Sequence, residues 1–400
     1  MAGLLACALI FSCVGVETKA ATQFTWKPNA TASSLLKNKK KVLFIGNSIT
    51  YFNNTPLLFE RMVGNGYVVN YITCGGQSLY NHGEWIHKVL NSGGVYTNFK
   101  KYADKEKAVL FKKSGSSNSK YYKDNKDYEK KVKEWYNWYA SALFQNYTNE
   151  LNKKKLSKIS YDYIILQDKT GNLADISNYN KYLKNKSASS SRDCYRDTWM
   201  GGLCRVVFEL RYHNVTNGRT QYVINSVYSP RKNKKLSETE ALQTKIDAQA
   251  GIIKKVLAEG FNVPQNKVYA MGKSDVKVAY TGDVVLSYLH RKNKNMKWTA
   301  GNVSDIIQDG EEALKHPKLA ASFMQAATIY KTIFGEKNSL SNYLIQKVIP
   351  AFNLATCTKG HIPSEKDKKN NEYTFLQSKK IILLKEHVNK YGTTPATPWK

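Results

Sequence analysis

The chain has 400 residues, of which 42% are hydrophobic, and it carries 61 Lys and Arg against 31 Asp and Glu. This length buries a substantial core, and the composition excludes a disordered or fibrous protein. The net charge of +30 attracts polyanions in general. The basic residues are dispersed, mostly Lys, and accompany no helix-turn-helix, zinc-finger or RNP signature, so we predict no specific nucleic-acid partner. Anionic surroundings such as a cell-surface polymer, acidic polysaccharide or anionic lipid fit the charge better.

Residues 1–21 form a short apolar segment that ends in small residues, as at a signal-peptidase site. We therefore predict a signal peptide over 1–21 and a secreted or cell-surface protein. A lipoprotein signal at Cys13 is the alternative, which Phe11 beside Ser12 disfavours. No later apolar run is long enough to span a bilayer, so no transmembrane segment is predicted after signal removal.

Export would leave four cysteines in an oxidising compartment: Cys74, Cys194, Cys204 and Cys357. They allow three pairings, and Cys194 and Cys204 are close enough in sequence for a local bridge. Four buried thiols are the alternative, because a chain of this length needs no disulfides to be stable. No CxxC motif or Cys/His cluster is present, so we predict no metal and no other cofactor.

Apolar runs typical of strands alternate with helical patterns along the chain. The predicted strands are 41–45, 67–73, 160–166, 220–225 and 267–271, and the predicted helices are 55–63, 128–151, 194–212, 237–259 and 317–330. Five strands separated by helices indicate an α/β fold with a parallel sheet covered on both faces. Residues 22–40 are predicted to pack on the domain edge, residues 272–304 to be less regular, and residues 336–400 to form a helical extension.

Residues 91–158 are rich in Lys with interleaved Tyr and Trp. We predict a helical insertion that overhangs the carboxyl edge of the sheet. Its aromatic residues could form platforms for sugar rings, but aromatic residues at helical spacing are more often part of the core.

Polar or glycine residues stand where several predicted strands end. Ser48 follows the first strand, Gly75 and Gly76 follow the second, and Gln167 follows the third, while His316 precedes Pro317 at the start of a helix. The carboxyl ends of parallel strands meet at one edge of the sheet, where ligands bind in open α/β folds. These residues therefore predict a shared site at that edge.

These segments, in this order, resemble the four sequence blocks of the SGNH (GDSL-type) hydrolase superfamily. The resemblance is nearest to the bacterial subgroup with GNS-x-T, GG-x-S-L and LQ-x-x-S/T blocks, and it covers about residues 40 to 335. It implies a flavodoxin-like, three-layer α/β/α sandwich with a five-stranded parallel sheet, and ester hydrolysis by a serine. The hydrolase-like domain is accordingly placed at 22–335.

The resemblance implies a role for each residue that matches a block. Ser48 would be the nucleophile and His316 its general base. The backbone N–H groups of Ser48 and of Gly76, or its neighbour Gly75, would form the oxyanion hole with the side-chain amide of Gln167. A serine hydroxyl needs such a base, and the oxyanion needs such donors.

Two departures from the family pattern affect these roles. The third block usually carries Asn, where this chain has Gln167. The last block usually reads Asp-x-x-His, but Ala313 stands three residues before His316. Asp309 is our first choice for the orienting carboxylate and Glu312 the second. If neither carboxylate reaches His316, the site would work as a Ser-His dyad.

The sequence thus predicts an exported bacterial serine esterase that removes O-acetyl groups from carbohydrate or cell-wall polymers. A lipid or lysophospholipid esterase is one alternative, and a glycan- or wall-binding protein that has lost its triad is another. His82 and His87 are not spaced like a helical zinc pair, so we predict ordinary surface or partly buried roles for both. His213 lies in no motif.

Overall fold

The computed structural model describes residues 29–74, 76–105, 128–148, 154–169, 199–226, 276–292, 317, 319–335, 385 and 388–389. Within them, five strands form one sheet in which every pairing is parallel. The strands are β1 (Lys40–Gly46), β2 (Tyr67–Thr73), β3 (Tyr161–Leu166), β4 (Thr216–Asn225) and β5 (Val276–Ala279). Their spatial order is β2-β1-β3-β4-β5, which is the flavodoxin-like order.

Helices cover both faces of this sheet. The helices are α1 (Ser33–Leu36), α2 (Ser48–Tyr51), α3 (Thr55–Val63), α4 (Leu79–Asn91), α5 (Tyr96–Lys105), α6 (Tyr128–Leu143), α7 (Trp199–Tyr212), α8 (Thr281–Lys292) and α9 (Leu319–Phe334). Alternate residues of β1 face opposite layers, as the two-residue period of a strand requires. Leu43 and Ile45 pack with α4 to α7, whereas Val42 and Phe44 pack with α3, α8 and α9. The predicted three-layer α/β/α sandwich is confirmed.

The sequence located most of these elements within a few residues. Strand β2 and helix α3 have the predicted bounds, and α6 ends at Leu143, before the predicted end at 151. Helix α7 covers Trp199–Tyr212, and the predicted start at 194 lies outside the described residues. The strand that pairs with β4 is Val276–Ala279, whereas the predicted fifth strand, 267–271, lies outside the described residues. The prediction of an irregular stretch over 272–304 is wrong, because β5 and α8 both fall within it. The predicted helix 237–259 is not among the described residues.

The aromatic residues of the predicted insertion belong to the core. Tyr136 and Tyr139 of α6 are fully buried, and the ring of Trp138 lies 5.2 Å from that of Tyr71 on β2. Helices α5 and α6 therefore lie in the layer that covers one face of the sheet. The prediction that they overhang its carboxyl edge is wrong, because their aromatic stripe needs the sheet face for burial.

The segment before β1 packs on the sheet edge, as predicted. The side-chain amide of Asn29 accepts from the backbone N–H of Tyr71 at 2.8 Å and donates to the Tyr71 carbonyl at 3.2 Å. It thereby pairs with β2, at the end of the described sheet, as a neighbouring strand would. The predicted signal peptide, the extension over 336–400 and the domain bounds remain predictions, since they rest on residues that are largely outside the description.

Two further sequence predictions concern cysteines and membranes. Cys74 is buried and forms no disulfide with another described residue, while Cys194 and Cys357 lie outside the described residues, so their pairing stays a prediction. None of the described helices combines the length and the hydropathy needed to cross a membrane.

Candidate functional site

The predicted site residues follow strands that flank the topological switch point of the sheet. Strand β1 lies between β2 and β3, and the chain passes to β2 on one side before continuing with β3 on the other. Loops that leave such a pair of strands diverge and open a crevice at their carboxyl ends. Ser48 directly follows β1, and Gln167 directly follows β3.

Ser48 begins the short helix α2, and Asn47 caps it. The Asn47 side-chain oxygen accepts from the N–H of Ile49 at 3.1 Å, and its carbonyl accepts from the N–H of Thr50 at 3.0 Å. Of residues 42–51, Ser48 alone is not buried. Its hydroxyl donates no hydrogen bond to another residue that the structure describes. Ser48 is thus the one partly exposed residue of an otherwise buried segment.

Gln167 braces this turn from the tip of β3. Its side-chain oxygen accepts from the N–H of Asn47 at 3.1 Å and from the hydroxyl of Thr50 at 2.7 Å. Its amide nitrogen donates to the carbonyl of Asp168. The side chain is 1% exposed. Because the oxygen is committed to the Ser48 turn, only the remaining amide hydrogen is left for the predicted oxyanion role.

The loop after β2 is also tied to the Ser48 turn. The N–H of Cys74 donates to the carbonyl of Gly46 at 3.1 Å, and the Asn47 amide donates to the carbonyl of Gln77 at 3.2 Å. Between these anchors, Gly76 is exposed and has a φ of +69°, a conformation that favours glycine. Its predicted partner Gly75 lies outside the described residues.

Asp168 completes the link between the loops, a role that was not predicted from the sequence. Its carboxylate is 1% exposed and accepts from the N–H of Leu79, the first residue of α4, at 2.8 Å. It also accepts from the N–H of Lys169 at 2.7 Å. A carboxylate is stabilised at a helix N-terminus. The sequence feature that could have predicted a role for Asp168 is its position beside Gln167, directly after a strand.

His82 lies beneath the Ser48 turn. Its Nε2 is 2.8 Å from the carbonyl oxygen of Gly46, and its Nδ1 is 2.7 Å from the hydroxyl of Tyr139. Because a carbonyl only accepts, Nε2 carries the proton and Nδ1 accepts from Tyr139. Burial and the neighbouring Cys74 thiol raise the pKa of Tyr139 well above its usual value, which keeps that donor protonated.

The predicted surface or partly buried role is wrong for His82, which is 0% exposed. Burial lowers its pKa from 6.5 to about 4, so the ring is neutral at pH 7. The missed signal is helical spacing, since His82 shares one stripe of α4 with the buried residues Leu79, Ile86 and Val89. His87 is half-buried, as predicted.

The depressed pKa of His82 predicts a loss of stability in mild acid. Between pH 6.5 and 4 the unfolded chain binds a proton that the folded protein excludes, so stability is full above pH 6.5 and falls toward pH 4. The complete loss corresponds to about 3 kcal/mol. Urea unfolding of the wild type and of His82→Gln at pH 7 to 4.5 measures it. We expect a shallower pH dependence in the variant, and parallel curves would contradict the assignment.

The residue after His316 is anchored close to the Ser48 turn. The side-chain amide of Asn53 donates to the carbonyl of Pro317 at 2.8 Å and is 3.1 Å from the hydroxyl of Ser322 on α9. Asn53 is fully buried, in the turn that joins α2 to α3. His316 itself, and both candidate acids, Asp309 and Glu312, lie outside the described residues.

No protein-family model matches the chain, and no curated protein matches it. Among solved structures, a crystal structure of a DUF4886 family protein from Bacteroides uniformis ATCC 8492 is similar at 14% sequence identity and a TM-score of 0.37. The similarity covers 80% of this chain and 93% of that one. At this TM-score it indicates neither a shared activity nor a shared site.

Proposed function

We propose that the chain is an exported serine esterase in which Ser48 attacks the ester carbonyl. The observation that carries the proposal is the partial exposure of Ser48: it is the one residue of 42–51 that is not buried, and it stands at the switch point of the sheet. A serine that merely ended a turn would need no bracing from other strand tips. This turn is held by Gln167 from β3 and by Gln77 and Cys74 after β2.

The base in this proposal is His316, oriented by Asp309 or Glu312. A serine hydroxyl becomes nucleophilic when a positioned imidazole takes its proton. The hydrogen bond from Asn53 to Pro317 supports this choice. Asn53 is only five positions after Ser48, and His316 directly precedes Pro317. Because consecutive Cα atoms are about 3.8 Å apart, this hydrogen bond keeps His316 within a short chain distance of the Ser48 turn. His82 is a poor candidate, since both of its ring nitrogens are already hydrogen-bonded.

The oxyanion hole would be formed by backbone and side-chain N–H groups around the same turn. The N–H of Ser48 belongs to the first turn of α2, where no carbonyl of that helix can accept from it. The N–H of Gly76 lies on an exposed turn, and the second amide hydrogen of Gln167 is the third candidate. Each preorganised donor lowers the barrier by about 3 kcal/mol. The bracing hydrogen bonds are what would keep these donors in place.

The proposed substrates are O-acetyl esters on carbohydrate or cell-wall polymers. Predicted export and the net charge of +30 support this choice, because a strongly basic protein concentrates near acidic polymers. The buried aromatic residues of α6 give it no support, since they belong to the core.

Covalent capture of the nucleophile tests the proposal. A fluorophosphonate probe reacts with activated serines by forming an O–P bond and releasing fluoride, so the wild-type protein should gain the mass of one probe less HF, and peptide mapping should place it on Ser48. Ser48→Ala should gain none, and denatured wild type should gain none. Modification at another serine, or a native protein that the probe leaves unmodified, would refute the assignment of Ser48.

A further inference from the structure

A second cluster of polar side chains lies between α4 and α7. It consists of His87 on α4, Glu209 on α7 and His213 directly after α7. One ligand atom from each lies within 4.8 Å of the other two. His87 Nδ1 is 2.8 Å from Glu209 Oε2, and His213 Nε2 is 3.5 Å from the same oxygen. Two imidazole nitrogens thus converge on one carboxylate oxygen.

The carboxylate at the centre of this cluster is fully buried. Glu209 is 0% exposed, and its other oxygen, Oε1, lies 2.9 Å from a guanidinium nitrogen of Arg205. Arg205 is in turn 2.9 Å from Glu84 Oε1. A buried charge is tolerated only when it is paired or bound to a metal. The guanidinium holds one carboxylate oxygen, which leaves Oε2 directed at both histidines.

We propose that His87, Glu209 and His213 bind a divalent transition metal, with zinc the best match. Zinc takes imidazole nitrogen and carboxylate oxygen at about 2.0–2.1 Å in tetrahedral geometry, which places ligand atoms roughly 3.3 Å apart. The two observed separations, 2.8 and 3.5 Å, bracket that value. An ion that enters the cluster would replace the hydrogen bond between His87 and Glu209. His87 is half-buried, and a water would supply the fourth ligand of the proposed ion.

The local charge favours a cation here although the chain as a whole is basic. Two carboxylates, Glu84 and Glu209, share one guanidinium, so this group of paired side chains carries a net negative charge. Arg205 approaches Oε1, away from the oxygen that faces the histidines. In metal sites, such a partner orients the ligating carboxylate from behind.

The proposed ion would join two helices that already pack unusually closely. A Cβ at Gly83 of α4 would lie 2.4 Å from Cγ of Arg205, and one at Gly202 of α7 would lie 2.8 Å from the backbone nitrogen of Tyr80. His87 stands eight residues along α4 from Leu79, or about 12 Å. The site therefore stabilises the helix that Asp168 contacts at its other end, and it takes no part in the ester chemistry.

A pair of histidines on one helix is the pattern by which a zinc site is predicted from sequence, and this cluster does not have it. Glu209 and His213 do have the i, i+4 spacing of neighbours on a helix face, but the third ligand comes from α4, more than a hundred residues earlier.

Zinc titration of the full-length protein tests the proposal. The protein is first stripped of metal with a chelator, then loaded with zinc and dialysed to remove unbound zinc. We expect elemental analysis to find one zinc per chain. With zinc in large excess over its Kd, the melting temperature should be about 3 °C or more higher than that of the stripped protein. His87→Gln should weaken zinc binding at least tenfold, since one of three protein ligands is lost. His290→Gln, on α8 in the opposite helical layer, is the matched control and should bind as the wild type does.

His87→Gln leaves the ion pair of Arg205 with Glu209 in place, so the variant should fold, and circular dichroism of the zinc-free protein verifies this. Cobalt(II) provides a second measurement, because tetrahedral coordination gives visible absorption that His213→Gln should abolish. Absence of bound zinc in the wild type, or equal binding in His87→Gln, would show that the cluster is an ion-pair network only. Esterase activity is independent of all these outcomes.

Discussion

Ser48→Ala should reduce kcat/KM for p-nitrophenyl acetate by at least about 10³-fold. Removal of a serine nucleophile leaves only the contribution of the oxyanion donors and of binding, which explains why such variants lose most of their rate. The folded structure should be preserved, because Ser48 is the least buried residue of its turn and its hydroxyl donates to no described residue. Initial rates of the wild type and the variant, with matched melting temperatures, measure the effect.

Ser34→Ala is the matched control for this experiment. Ser34 is an exposed serine of α1, so the same substitution there should leave the rate unchanged. An activity that survives in Ser48→Ala would contradict the proposed nucleophile. Rates on acetyl and dodecanoyl esters separate the substrate classes, since a carbohydrate deacetylase should prefer the acetyl ester and a lipid esterase the longer one. A native wild type without any activity would favour the wall-binding alternative.

Residues that start or stop a helix explain why the bounds of some elements were predicted to the residue. Helix α3 begins after Asn54, whose side chain caps it where the sequence suggested Thr55 as the cap; it has Pro56 in its first turn and ends at Gly64 with a φ of +73°. Each of these residues restricts the backbone by itself, so no tertiary information was needed. Strand β5 is not bounded by residues of this kind. It has four residues and includes Lys277, and only its pairing with β4 makes it a strand.

The candidate site was predictable as a set of strand tips, but its internal connections were not. That Ser48, Gly76 and Gln167 follow neighbouring strands can be derived from the strand pattern and the rule for open α/β sheets. The hydrogen bond between Gln167 and Asn47 joins residues 120 positions apart. No periodicity encodes it, so the sequence suggested an oxyanion donor where the structure has, first of all, a side chain that holds the Ser48 turn in place.

Gly46 is the residue on which this brace depends. A Cβ at this position would lie 2.4 Å from the Thr50 hydroxyl oxygen and 2.9 Å from the side-chain oxygen of Gln167. Separations under 3.0 Å are essentially never seen for Cβ atoms. The two oxygens are themselves hydrogen-bonded at 2.7 Å, so neither can move without breaking the contact that holds the turn.

Gly46→Ala should therefore destabilise the protein by about 1–3 kcal/mol, the usual cost of overpacking a well-packed core. It should also lower ester hydrolysis by about 10²-fold, because the added methyl pushes the turn that carries Ser48 and a displacement of about 1 Å is enough for such a loss. Urea unfolding gives the first quantity, and initial rates under native conditions, at a temperature well below the melting point, give the second.

Gly66→Ala supplies the matched control. A Cβ at Gly66, in the turn before β2, would meet no atom within 4 Å, so this glycine can be replaced with little effect on stability or rate. If Gly46→Ala were as stable and as active as Gly66→Ala, the contact between Thr50 and Gln167 would not position the nucleophile. A Gly46→Ala variant that loses stability but keeps its full rate would separate the stabilising role of the Thr50–Gln167 contact from a role in positioning Ser48. The contact would then stabilise the fold only, and the Asn47 cap alone would hold the geometry of the Ser48 turn.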